Sequence, residues 1–435
     1  MLTHIRNSGR DLLSPDAWKI RLLFWAGAIL VGLVASGLAL STVYAEDGFH
    51  FLLAYGDWVP FILCPLGLVL VSWLTNKVFP GSQGSGIPQS IAALQLTQHS
   101  SRSALLSFRI AFGKILLTLL GLLSGASIGR EGPTVHIGAA IMFSLGRFAK
   151  FPHHYMDRGL ILAGGAAGIA AAFNTPLAGI LFAVEEMGRS FEERTSGVLL
   201  TGVFLAGITA VVVQGNYTYF GTTAAGLPAS EMFIPVLVCG IIGGLLGGLF
   251  STLLVQGSRR LAPIMRRRPF MVAAVCGLGI AGAGFLSGNT AYGTGYEEAS
   301  AILTGTSTLP ASYPYMKILA TLFSYLSGIP GGIFAPSLAT GAGIGAEISQ
   351  WMPSFPVSAI IILGMVGYFT GVVQTPITAF VIVMEMTDNQ QLLLPLMATA
   401  FIAYGTSRFV CPEPIYRELS KAFLPQPVEK KTPEA

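Results

Sequence analysis

The chain has 435 residues, of which 52% are hydrophobic and 11% charged, with a mean hydropathy of +0.67. An ordinary soluble domain carries about a quarter charged residues, so that class is excluded. The formal net charge of +4 comes largely from Arg and Lys near the ends of apolar runs, which speaks to membrane orientation and not to nucleic acid.

Taken in chain order, the elements predicted are those of an all-α polytopic membrane protein. Residues 1–20 carry Arg6, Arg10 and Lys19 and, with Arg21, precede the first span, which places this segment on the cytoplasmic side. Leu22 to Tyr44 holds no charge and is long enough to cross a hydrocarbon core at about 1.5 Å per residue. It lacks a small-residue cleavage site and is read as retained. Similar runs are expected near 51–75, 115–128, 195–214, 232–255, 270–288, 355–373 and 391–405. The runs 133–146, 160–173 and 335–348 are too short to span upright and are cut by Gly and Pro, as broken helices are. Arg259, Arg260, Arg266, Arg267 and Arg268 fill one cytoplasmic connection, and Lys421, Lys430 and Lys431 a cytoplasmic tail, 417–435, too short for a soluble domain. The 53 glycines and 25 prolines lie inside apolar runs, where they serve close packing and punctuation. Cys64, Cys239, Cys276 and Cys411 are dispersed and have no metal-ligand spacing, so buried thiols are expected, with no metal or cofactor.

The chain repeats itself. Gly129-Arg130-Glu131-Gly132-Pro133 through Gly138-Ala139 returns about two hundred residues later as Gly332-Ile333-Phe334-Ala335-Pro336 through Gly341-Ala342. Gly84-Ser85-Gly86 returns as Gly293-Thr294-Gly295, and Asn174-Thr175-Pro176-Leu177 as Gln374-Thr375-Pro376-Ile377. Two versions of one unit are expected, 21–214 and 232–416, joined by 215–231. In an apolar chain a repeat with broken helices points to transport.

Four stretches carry chemistry. Pro133 and its flanking glycines mark a helix start whose unpaired N–H groups attract an anion, and Glu131 supplies one from the chain itself. A first-turn Glu that merely stabilises its own helix is the plain alternative, but a carboxylate deep in an apolar chain is costly and functional by default. Gly331-Gly332-Ile333-Phe334-Ala335-Pro336 offers the matching start from the other half, with Phe334 where Glu131 stands. Amides around Ile333 and Phe334 can hold a free anion while Glu131 competes for the neighbouring position. Ser85, between Gly84 and Gly86, offers a neutral hydroxyl donor, as does Tyr416; a loop and an interfacial aromatic are their alternatives. Glu185 and Glu186 follow one another at the end of the run from Pro176, where two acids oppose the helix dipole. They differ by about 100° around the axis, so one faces the protein and the other water. An ion pair with Arg189 is the competing reading. The corresponding place in the second half, Met384-Glu385-Met386, has one acid.

These stretches resemble the CLC family of chloride channels and proton-coupled chloride transporters: its three signature motifs stand in order as Gly84-Ser85-Gly86-Ile87-Pro88, Gly129-Arg130-Glu131-Gly132-Pro133 and Gly332-Ile333-Phe334-Ala335-Pro336. The resemblance runs from about Val31 to Tyr416. It implies an inverted repeat of about eighteen helices, and a homodimer with one pathway per subunit in the cell (inner) membrane. Ser85 and Tyr416 would hold chloride by side chain and Ile333 and Phe334 by backbone N–H. Glu131 resembles the gating glutamate and Glu186 the inner proton-transfer glutamate, with Glu185 beside it on the water-access side. Lys114 and Arg130 fall where the family places basic residues that raise the local potential. An acid at Glu186 favours Cl⁻/H⁺ antiport over its alternative, a passive gated chloride channel. Ser85 argues against a nitrate-preferring variant and Tyr416 against a fluoride-exporting one. Gln89-Ser90-Ile91 departs from the acidic residues that follow the first motif in many exchangers. A serine hydrolase using Ser85 with His136 and a sodium-coupled transporter are the remaining alternatives.

Overall fold

A computed structural model describes residues 15–148, 153–188, 193–228 and 230–425. Among these the chain is helical throughout, without strands. The first half comprises α1 (Pro15–Leu53), α2 (Val59–Lys77), α3 (Ile87–Gln95), α4 (His99–Leu105), α5 (Phe108–Leu123), α6 (Glu131–Leu145), α7 (His153–Phe173), α8 (Pro176–Phe182) and α9 (Glu193–Gln214). The second comprises α10 (Phe233–Arg267), α11 (Pro269–Leu286), α12 (Tyr296–Thr304), α13 (Tyr313–Leu326), α14 (Phe334–Trp351), α15 (Val357–Val373), α16 (Pro376–Thr387), α17 (Leu393–Val410) and α18 (Ile415–Ser420). Among the described residues six segments are long and apolar enough to cross a membrane: Arg21–Leu53, Val59–Lys77, His99–Leu123, Phe233–Arg267, Pro269–Leu286 and Leu393–Val410.

Boundaries differ from expectation where charge and helix propensity part company. The run read as starting near 51 begins at Val59, because α1 continues through Glu46, Asp47 and His50 to Leu53. Charged residues do not stop a helix. Gly56, with φ of 141°, and Pro60 at the start of α2 do. The run read as 115–128 is α5, entered through Ser107, whose Oγ accepts from Ile110 N at 3.3 Å, and ended before Gly125 in the left-handed region. Beyond 255, α10 continues to Arg267 and carries its arginines out to solvent. There Arg259 pairs with Glu418, which also takes Lys421 at 2.6 Å.

Helices pack closely where glycines face each other. A Cβ on Gly243 of α10 would lie 2.5 Å from Gly367 C of α15, and one on Gly341 of α14 2.7 Å from Gly364 O. Small residues let backbones touch, and in a bilayer van der Waals packing replaces the hydrophobic drive between helices. The helices that start at the three motifs, α3, α6 and α14, are buried along most of their lengths, whereas α1, α2, α9, α10, α11 and α17 carry large exposed apolar side chains such as Leu22, Leu66, Phe204, Phe233, Phe285 and Phe401. The broken helices therefore lie inside a sleeve of long ones, the one place at membrane depth where irregular backbone can be satisfied.

Candidate anion pathway and proton-transfer site

Three turns meet at the centre. Gly84 N donates to Ile329 O at 3.1 Å and Gly331 N to Gly84 O at 3.3 Å; Gly129 and Gly332 exchange N–H···O bonds of 2.8 and 2.7 Å. The turns entering α3, α6 and α14 are thereby tied together, and the amide-bearing ends of half-helices from both repeats converge. Each end presents N–H groups with no acceptor inside its own helix, together with the positive end of the helix dipole. The approach requires glycine at two places. Gly86 caps α3 with φ of 101°, and a Cβ there would come within 2.6 Å of His136 Cβ. A Cβ on Gly132 would fall 2.1 Å from Ser85 Oγ.

Side chains complete the cradle. Glu131, fully buried in the first turn of α6, lays its Oε2 over the start of α14, where Ala335 N is 3.5 Å away. Glu131 Oε1, Ser85 Oγ and Tyr416 Oη are buried and have no protein hydrogen-bond partner. An unsatisfied buried polar atom costs about 1–3 kcal/mol, so three together call for something from outside the chain to satisfy them. Ile333 is the N-cap of α14, and the Phe334 ring is fixed by Phe369 (centroids 4.8 Å apart), Phe182 (5.9 Å), Tyr416 (5.9 Å) and Phe173 (6.5 Å). That packing turns the Phe334 side chain into the core and leaves its amide to the cradle. Tyr416 opens α18, which packs on α3, the helix that Ser85 precedes.

The basic residues act as anchors. Buried Lys114 donates to Ser82 O (2.8 Å), Gly84 O (2.9 Å) and Gln83 O (3.4 Å), so its charge holds the Ser85 turn from below. Arg130 reaches Ala39 O (2.7 Å) and Thr42 Oγ1 (3.0 Å) on α1 and lies 5.6 Å from the centre of the Tyr219 ring. It lines a cavity of about 220 Å³ together with Glu46, Tyr217, Tyr296 and Thr294.

Glu185 and Glu186 sit in a π-helical turn, Ala183–Gly188, that continues α8. Such turns concentrate at functional sites. Glu186 is 3% exposed and lies within electrostatic reach of the Tyr416 hydroxyl, as does Glu131. Glu185 does more than neighbour it. Its Oε1 accepts from Ile377 N (3.1 Å) and its Oε2 from Thr378 N (2.6 Å) and Thr378 Oγ1 (2.7 Å), so it caps α16 of the other half. Opposition to the helix dipole is thus only half of the account: the Glu185 carboxylate opposes its own helix dipole but meets the favourable end of another. Glu385 returns the arrangement, accepting from Leu177 N (3.2 Å) and Ala178 N (2.7 Å) at the start of α8. Glu185 matches Glu385 and Glu186 matches Met386, so only the first half has the second acid. Arg189 lies outside the described residues.

The sequence matches the voltage-gated chloride channel family over residues 67–408. The chain belongs to that family. Among curated relatives, the H(+)/Cl(-) exchange transporter ClcA of Cronobacter sakazakii is 30% identical over 452 residues, covering 97% of this chain and 94% of the relative. The ClcA exchanger of Salmonella typhimurium is 30% identical, covering 94% and 90%. Among solved structures, a slow cyanobacterial Cl-/H+ antiporter superposes with a TM-score of 0.78 at 26% identity, covering 92% of this chain and 97% of the other. A CLC-type fluoride/proton antiporter superposes with a TM-score of 0.77 at 24% identity, covering 93% and 99%, a likeness of fold alone. The three motifs that carry the family resemblance are the three turns that meet at the centre of this structure.

The sequence reading missed Lys317, Glu46 and the capping role of Glu385. Lys317, fully buried, donates to Tyr292 O (2.6 Å), Gly293 O (2.9 Å) and Ala291 O (3.2 Å), as Lys114 does in the first half. The offset between Lys114 and Lys317 is the same as that between Gly129 and Gly332, so the repeat itself could have found it. The capping role of Glu385 follows from the same symmetry. Glu46, whose carboxylate accepts from Thr294 N, left no comparable signal, being one acid in a helix otherwise read as ending at Tyr44. His136 does not pair with Ser85: its Nε2 meets Leu105 O at 2.9 Å, and Ser85 Oγ has no partner in the chain. The arrangement lacks the nucleophile–base bond that a hydrolase needs.

Proposed function

We propose that this protein exchanges chloride for protons across a membrane. The observation that carries the reading is the Glu131 carboxylate lying on the N-terminus of α14, beside two buried hydroxyls, Ser85 and Tyr416, that no protein group satisfies. A chloride ion is held by these hydroxyls and by the Ile333 and Phe334 amides, all neutral donors that bind an anion without trapping it. Ionised Glu131 occupies the adjoining anion position through Ala335 N. Protonated, it loses its attraction to the helix end and swings away, so the anion advances as a proton is taken up. Glu186 hands protons between Glu131 and the cytoplasm across the level of Tyr416, and Glu185 fixes the turn that presents it. Gly84, Gly86 and Lys114 shape and hold the Ser85 turn, and Arg130 draws anions to the mouth.

The transported ions are thus chloride and protons, and no cofactor enters the cycle. Arg259, Arg260, Arg266, Arg267 and Lys421 support a cytoplasmic placement of both termini in an inner membrane. The corresponding landmarks support division into repeats 21–214 and 232–416. Exposed Leu177, Phe204, Ile377 and Phe401 support a homodimer formed through the face around α8, α9, α16 and α17.

Chloride efflux and external pH, recorded together from proteoliposomes under a chloride gradient, test the reading. Protons are expected to move uphill against the chloride flow. Chloride flux with no uphill proton movement would establish a passive channel instead.

A further inference from the structure

The repeat duplicates more than the central cradle. In the first half, Ser85 stands before Gly86, the left-handed N-cap of α3, and the glycine rests on Lys114 while Lys114 Nζ binds the carbonyls of 82–84. In the second half, Thr294 stands before Gly295, the left-handed N-cap of α12 with φ of 78°. A Cβ on Gly295 would lie 2.8 Å from Lys317 Cε, and Lys317 Nζ binds the carbonyls of 291–293. The same helix start, hydroxyl residue and lysine support recur, facing the 220 Å³ cavity lined by Arg130.

One difference separates the two. The first-half hydroxyl, Ser85 Oγ, has no partner in the protein, whereas in the second half the Thr294 hydroxyl accepts from Tyr296 N at 3.3 Å and the Thr294 amide donates to Glu46 Oε1, a carboxylate reaching over from α1. The contact is close enough that a Cβ on Gly293 would fall 2.4 Å from the same oxygen. A second observation points the same way. Arg130 is 8% exposed and lines this cavity, and its Nε is buried with no hydrogen-bond partner. A buried guanidinium N–H without an acceptor is a donor suited to an anion. Of the other charges nearby, Glu298 is set against Lys317, and Glu297 is exposed on the first turn of α12.

We infer that the mouth beside Arg130 contains a second cradle for a small monovalent anion, built from Thr294, the start of α12 and Arg130, and held in this structure by the tethered carboxylate of Glu46. Glu46 stands to this cradle as Glu131 stands to the start of α14. Removing its carboxylate frees the Thr294 amide and takes a negative charge out of the cavity that Arg130 lines. A halide then takes the position. The inference is independent of coupling and holds equally for a channel.

Bromide and the full-length chain provide the test. Crystals of Glu46→Ala grown in bromide are expected to show an anomalous peak within about 3.5 Å of Thr294 N that wild type lacks, alongside the peak at Ser85 and Tyr416 in both. A peak at Ser85 and Tyr416 with none at Thr294 overturns the inference. Should Glu46→Ala fold poorly, Glu46→Ser keeps a polar side chain too short to reach the Thr294 amide. Calorimetric titration of Glu46→Ser with chloride is expected to give one more bound anion per subunit than wild type, and an unchanged stoichiometry overturns the inference as surely.

Discussion

A halide offers no shape to recognise, so at the scale of single residues selectivity rests on which donors are left unpaired. On the function proposed above, Ser85 and Tyr416 are such donors, and each is fully buried. A hydrogen bond to a charged group is worth about 1.5–3 kcal/mol, so Ser85→Ala and Tyr416→Phe are each expected to weaken chloride binding roughly ten- to a hundredfold in calorimetric titration. Glu131→Ala removes the competing carboxylate, and chloride transport should continue, lose its proton coupling and become insensitive to pH. Wild-type chloride flux should rise as pH falls, since protonation frees the position above Ala335 N, and a flux of equal pH dependence in wild type and variant would contradict the gating role. Glu186→Gln should abolish chloride-driven proton uptake in liposomes while leaving chloride flux largely intact. These residues were legible because each breaks a local rule: an acid in an apolar run, or a hydroxyl between glycines before a proline. Lys114 and Lys317 read only as buried charge until the carbonyls around them showed what each lysine holds.

For helices, the informative feature is the crossed pair of caps. The acid in the turn after α8 satisfies the start of α16, and the acid near the end of α16 satisfies the start of α8. Neither helix is long enough to be stable alone in isolation, and each is finished by the other. A capping carboxylate is worth about 1–2 kcal/mol. Glu185→Ala and Glu385→Ala should therefore each lower thermal stability in detergent. Glu185→Ala should also lower the ratio of protons to chloride, because the π-helical turn carrying Glu186 loses its anchor. An unchanged ratio with lowered stability would make that cap purely structural. Lys317→Met and Lys114→Met should each destabilise the fold, each leaving three carbonyl oxygens without a donor. Of the runs read as broken, 133–146 is the 15-residue α6, but 160–173 is the end of the 21-residue α7 and 335–348 lies in the 18-residue α14, so Gly and Pro marked the starts of α6 and α14 better than they marked helix length. The extent of α1 was not legible, because hydropathy reports lipid exposure while helix continuation depends on backbone and breakers. The crossed caps were not legible either, since they join residues nearly two hundred positions apart whose partners are backbone amides.

For the molecule as a whole, the sequence announced a duplicated architecture through three pairs of landmarks, and the fold obeys it down to the lysine supports and the capping acids. The paired landmarks and the central meeting of turns were therefore legible, since both depend on patterns that survive duplication. Packing of long helices around the broken ones depends on facing glycines from distant segments, for which a single sequence carries no register. Where the halves disagree, function enters. Met386 stands at the place of Glu186, so the scaffold is close to a palindrome while its chemistry is not. With Glu186 in the proton-transfer role proposed above, the protein reconstituted at random into vesicles should form two populations that share an anion route yet differ in which bath supplies their buried carboxylic relay. An impermeant reagent acting near that relay, added to one bath, should silence one population and spare the other, so the direction of insertion can be read from function alone.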